Sequence, residues 1–162
     1  MPAESSLPVT IQTRDQAMVA FEKLIQVSTM ALNILSFRLN PALFNDPDLT
    51  ESLRQKILQR RRMRVRVLIR EPRQAVRNAP RFLALARRLG SNFEMRAAPR
   101  DNSPIASLII CDRHSMIYRP SFERWDGQLI SANPIRIREC LEEFDSVWDN
   151  STESPELRET RL

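Results

Sequence analysis

The chain has 162 residues, 42% of them hydrophobic, which suits one domain with a real core and is too apolar for global disorder. No stretch approaches the roughly 18 consecutive apolar residues of a membrane span, and the start, Met1-Pro2-Ala3-Glu4, lacks the basic and apolar regions of a secretory signal. The formal charge is +5, nearly all of it arginine, and two cysteines are too few for a disulfide framework, so the chain reads as an arginine-rich cytoplasmic protein.

Residues 1–12 read as a flexible arm with a short extended piece near residues 9–12. Thr13 opens a helix, with Gln16 at capping-box spacing, and Met18, Phe21, Leu24 and Ile25 give it an apolar face. Residues 31–39 are apolar on both faces, as in a central strand covered by helices on either side. Asp48 with Glu51 marks a second helix whose buried face is Leu49, Leu53 and Ile57. Val65, Val67 and Ile69 then alternate with arginines in a strand that Glu71-Pro72 ends.

A third helix starts near Asn78-Ala79-Pro80, and Gly90 stops it. Short strands follow at residues 93–97, 105–111, 115–119 and 128–131. Asn133-Pro134 opens the last helix, with Ile137, Leu141, Phe144 and Trp148 on one face. Residues 150–162 read as a flexible tail. Helix and strand alternate early, which argues for parallel pairing, and the later short connections argue for antiparallel additions. The expected architecture is an α/β domain over residues 13–149, a mixed sheet with helices on both faces.

Several residue sets carry candidate chemistry. Arg38 and Arg70 fall at the carboxyl ends of two expected parallel strands and Asp112 at the end of another, where ligands bind open α/β sheets. The two arginines suit an anion, or one of them pairs with Asp112 and only stabilises the fold. Arg60, Arg61, Arg62, Arg64 and Arg66 form the densest basic run. They read either as a phosphate-tracking, nucleic-acid-binding patch or as cations meeting a helix C-terminus. His114, the only histidine, lies two residues from Asp112, so the pair reads as a base or as a turn. Cys111, His114 and Cys140 lack recognisable zinc spacing, so no metal or cofactor is expected. Trp125 stands in an irregular segment, where it caps the sheet or meets a partner.

The element order, together with Arg61-Arg62-Met63-Arg64-Val65-Arg66-Val67-Leu68-Ile69 and Leu108-Ile109-Ile110-Cys111-Asp112, resembles one half of a phospholipase D superfamily enzyme over residues 14–148. The family's signature is His-x-Lys, four residues, then Asp. Laid on this chain with Asp112 as the aspartate, it puts Ile105 at the histidine and Ser107 at the lysine. The Gly-Ser that often follows falls at Arg119-Pro120. Ile105 cannot attack phosphorus and Ser107 cannot supply the lysine's charge, so the resemblance implies a pseudoenzyme.

The chain also resembles an uncharacterised bacterial domain sometimes attached to acetyltransferase domains, which implies an accessory role. The resulting expectation is a non-catalytic phospholipase D-like binding or assembly module, able to take a phosphate-bearing ligand or a protein partner. The alternatives are a divergent phosphodiesterase or nuclease using Asp112 and His114, and a nucleic-acid-binding protein using the basic run. Half-enzymes of the family resemble dimers, so the resemblance implies a homodimer in which Ile105, Ser107 and Ile109 face a symmetry mate.

Overall fold

The computed structural model describes residues 7–100 and 106–158. Seven strands form one sheet: β1 (Val9–Ile11), β2 (Ala31–Ser36), β3 (Arg64–Ile69), β4 (Phe93–Ala97), β5 (Ser107–Cys111), β6 (Ser115–Arg119) and β7 (Gly127–Ser131). Their order is β1-β7-β6-β5-β2-β3-β4. Strands β2, β3 and β4 are parallel, and β5 joins β2 antiparallel. Strands β6, β7 and β1 continue the antiparallel half. The expected mixed α/β sheet with helices on both faces is what the chain adopts.

Helices α1 (Arg14–Val27), α3 (Pro47–Gln59) and α5 (Pro80–Arg88) cover one face. There Leu24, Leu53 and Phe82 pack with Ile34, Val67, Ile109 and Ile117 in one buried cluster. Helix α6 (Pro134–Asp149) covers the other face, where Ile137, Phe144 and Trp148 meet Leu68, Ile110 and Met116. The split follows the period-two alternation of strand side chains. An edge-to-face series of rings, Phe21–Phe44–Phe82–Phe93, links α1 to β4 at centroid spacings of 5.5, 5.2 and 5.8 Å.

Capping explains most helix starts. Thr13 accepts from the Gln16 N–H, and Asn133 accepts from the Arg136 N–H, both as expected. The second long helix starts earlier than expected. Asp46, not Asp48, is its cap, accepting from the Leu49 N–H at 2.9 Å, because Pro47 has no N–H to satisfy and fits the first turn. The same property makes Pro41 and Pro72 starters of two short helices, α2 (Pro41–Phe44) and α4 (Pro72–Asn78).

Described parts of both segments that read as flexible pair with the sheet or pack on it. Val9–Ile11 pairs with β7, and Ile11 is 1% exposed. Thr152 bridges Ala97 through two backbone hydrogen bonds and covers the β4 edge. Leu157, in α7 (Pro155–Arg158), is 3% exposed. The domain therefore extends past residue 149 through the described residues.

Candidate functional site

The carboxyl end of β2 lies beside the start of β5 and the end of β6, because β5 runs against β2 and β6 against β5. Ser36, Ser107 and Arg119 each lie two residues from a core residue of the three-helix face: Ile34, Ile109 and Ile117. They therefore point to that face. With Arg38 and Asn40 they supply the polar lining of a narrow cleft. Phe44, Ile109 and Phe122 supply apolar wall.

The donors in this cleft are held in place. Ser36 Oγ accepts from the Leu39 N–H at 2.9 Å, which leaves the Ser36 O–H to donate. Leu39 has a positive φ of 56°, and this bend turns the chain between Arg38 and Asn40. Asn40 Oδ1 accepts from the Ala42 N–H and caps α2, so its amide N–H groups remain as donors. The Arg38 guanidinium lies over the Phe122 ring at 5.2 Å, and the Phe37 ring stacks on Phe122 at 4.0 Å.

Arg119 is the most unusual group in the cleft. It is 6% exposed, and among the described residues no carboxylate pairs with it. Its Nε and Nη2 donate to the Arg124 carbonyl at 3.1 and 2.6 Å, and Nη2 also donates to Phe122 O at 3.4 Å. The Trp125 ring lies 4.7 Å below the guanidinium, which gives Trp125 an intramolecular role. Gly127 makes this packing possible, since a Cβ there would stand 2.7 Å from Arg119 Cγ. Burial lowers the Arg119 pKa, yet an arginine so held keeps its charge. The sequence marks this residue only as the position where the resemblance implies glycine. The signal that could have found it was an arginine alternating with Ile117 and Ser115 in an apolar strand.

The expected site residues separate. Ile105 lies outside the described residues. Ser107, where the resemblance implies lysine, is in the cleft and 9% exposed. Arg38 lines the cleft, whereas Arg70 lines a different groove with Glu71, Ala97 and Glu153. The idea that either arginine pairs with Asp112 fails on strand direction. Because β5 is antiparallel to β2, Asp112 lies at the opposite end of the sheet, five residues or about 16 Å along the strand from Ser107. Ile109, expected to face a symmetry mate, is 6% exposed under helices of its own chain.

Asp112 acts as a clamp. Its Oδ1 accepts from the N–H groups of Met30 and Ala31 at 2.8 Å, and Oδ2 accepts from Thr29 N–H and Oγ1 at 3.0 and 3.1 Å. Burial opposes its ionisation, but the hydrogen bonds from Ala31, Met30 and Thr29 together outweigh it and hold the carboxyl below its ordinary value. His114 Nε2 stands 3.3 Å from Oδ2, and Cys111 Sγ stands 4.0 Å from that ring nitrogen. The three donor atoms converge, but the lone pairs of Asp112 are already taken. Cys140 packs on the other face of the sheet and cannot join them.

The basic run is split by the strand's period. Arg60, Arg61, Arg62 and Arg64 are exposed. Arg66 points to the α6 side, where it pairs with Asp145 at 2.7 Å, donates to Asn33 Oδ1, and lies over the Phe144 and Trp148 rings. It is a structural residue, not part of a phosphate-tracking patch.

A family model described as "Domain of unknown function (DUF7931)" matches residues 13–160. A comparison with curated protein sequences finds no match. Among solved structures, the fold is similar to Nuc, a phospholipase D family member from Salmonella typhimurium. That match has a TM-score of 0.64 at 15% identity, over 91% of this chain and 99% of that one. NucT from Helicobacter pylori gives 0.62 at 9% identity, over the same shares. TrmBL2, an archaeal chromatin protein with a novel mode of DNA binding, gives 0.64 at 10% identity over 91% of this chain. The chain spans about half of TrmBL2, 54% of its length. At these identities the likeness shows the fold, which is phospholipase D-like.

Proposed function

Because the chain belongs to the family described as "Domain of unknown function (DUF7931)" and has a phospholipase D-like fold, we propose that it binds a phosphate-bearing ligand in the Arg119 cleft without turning it over. One observation carries the reading. The described lining of the cleft offers two arginines, two serines and an asparagine, and it holds no carboxylate, histidine, cysteine or lysine. Such a set binds an anion and gives it no nucleophile or general acid of useful pKa.

In this reading the cation has moved across the sheet. Ser107 stands where the resemblance implies lysine, and Arg119 stands opposite it where the resemblance implies glycine. A buried guanidinium fixed by carbonyls supports binding of a phosphate oxygen with little reorganisation. The divergent-nuclease alternative would use a separate site at the other end of β5, where the Asp112 oxygens already accept from Thr29, Met30 and Ala31. The test is phosphorus NMR. Inorganic phosphate and phenyl phosphate should broaden on adding protein, while bis(p-nitrophenyl) phosphate should yield no new resonance over a day. Turnover that survives repurification would overturn the reading, as would phosphate lines that never broaden.

A further inference from the structure

We infer that the opposite end of the sheet carries a second, independent surface, a row of arginines that engages the phosphodiester backbone of nucleic acid. Three turns meet there. The first joins α3 to β3 and presents Arg60, Arg61 and Arg62, with Arg64 opening the strand. Arg88 ends α5 just before the second turn, and Arg113 sits in the third, between β5 and β6. All six arginines are exposed.

The sheet register sets them in a line. Arg64 pairs with Ala31 of β2, Leu32 pairs with Cys111 of β5, and Val65 pairs with Phe93 of β4. From β5 to β4 is three strand spacings, about 14 Å. A row of that length can meet a few phosphates of one strand.

The row is also rigid and uncompensated. The Asn92 side chain donates to Arg61 O at 2.9 Å and to Met63 O at 2.8 Å, which stitches the first two turns together. Among the described residues none of the six arginines has an ion pair, nor do the exposed Arg77, Arg81 and Arg138, whereas Arg14, Arg54, Arg73, Arg100 and Arg124 are paired. The nearby Asp112 is consumed by its clamp on residues 29–31. Cations meeting helix C-termini would account for Arg60 and Arg88, but Arg113 follows a strand and has no helix end to serve. No exposed phenylalanine, tyrosine or tryptophan stands in these turns, so the contact is to backbone charge and is indifferent to base sequence.

The test is fluorescence anisotropy of a labelled duplex across a salt series. Binding should be independent of sequence, with a log–log salt slope of about −0.9 per phosphate contacted. Changing Arg61, Arg62 and Arg64 together to Ala should flatten that slope by about 3 units, and Arg113→Ala by about 1. Arg66→Met, shown folded by circular dichroism, should leave the slope alone. Three results would overturn the inference: no binding at low salt, slopes unchanged in the triple variant, or poly-glutamate competing as well as DNA at equal charge. None of them bears on the cleft.

Discussion

Ser107 and Arg119 stand opposite each other across β5 and β6, and both side chains enter the same cleft. One is a small hydroxyl. The other is a buried guanidinium that no described carboxylate neutralises. Burying a charge is costly unless hydrogen bonds replace its water, and here the Phe122 and Arg124 carbonyls do so. A buried charge that faces a cleft with carbonyls as its only described partners is the observation on which the proposed anion binding rests.

Gly127 is the residue that lets Arg119 lie where it does. A methyl group there would approach Tyr118 O to 2.4 Å and Arg119 Cγ to 2.7 Å, so the backbone itself would have to move. We expect Gly127→Ala to destabilise the protein by about 1–3 kcal/mol in urea unfolding. It should also weaken phosphate binding in whatever fraction stays folded. Unchanged stability would mean that the β6–β7 pair gives way easily.

Asp112 should govern acid stability. Its folded-state pKa is depressed, so its contribution is present above the unfolded value near 3.8 and is lost as pH falls through the folded value. An amide accepts with one oxygen only, and its NH₂ would face backbone N–H groups. Asp112→Asn should therefore cost about 2–4 kcal/mol at pH 7, with the gap to wild type closing in acid. A gap that stays constant from pH 7 to pH 2 would contradict the clamp.

The two cysteines should differ in reactivity. Burial is the main cause pushing the Cys111 thiol up to about 11, so on the order of one thiol in a thousand is ionised at pH 8. Cys140 is also raised, chiefly by burial, but is only half-buried. A chromogenic disulfide should label Cys140 first in the native protein, and Cys111 only on unfolding. Equal rates would contradict the burial of Cys111.

Much of this was legible before the fold. The apolar runs, the Thr13 and Asn133 caps and the order of elements sufficed for the mixed sheet, because each is a local signal. Strand direction was not local. The sequence groups Asp112 with Arg38 and Arg70 only if β5 ends where β2 ends, and the antiparallel pairing reverses that. Pro41 and Pro72 read as breakers although proline also starts helices. In the sequence, Arg119 stands out only as the position where the resemblance implies glycine. Its partners are carbonyls of an irregular segment that carries no periodic signal.

The most direct measurement is a calorimetric titration with inorganic phosphate at fixed ionic strength, on wild type and on Arg119→Met. Arg66→Met serves as a control that removes an arginine bound up with Asp145 instead. Losing a charge-assisted hydrogen-bond donor of about 1.5–3 kcal/mol should weaken binding by roughly 10- to 100-fold in Arg119→Met. Arg66→Met should bind as wild type does. Equal affinity in Arg119→Met and wild type, with both proteins folded, would contradict the account.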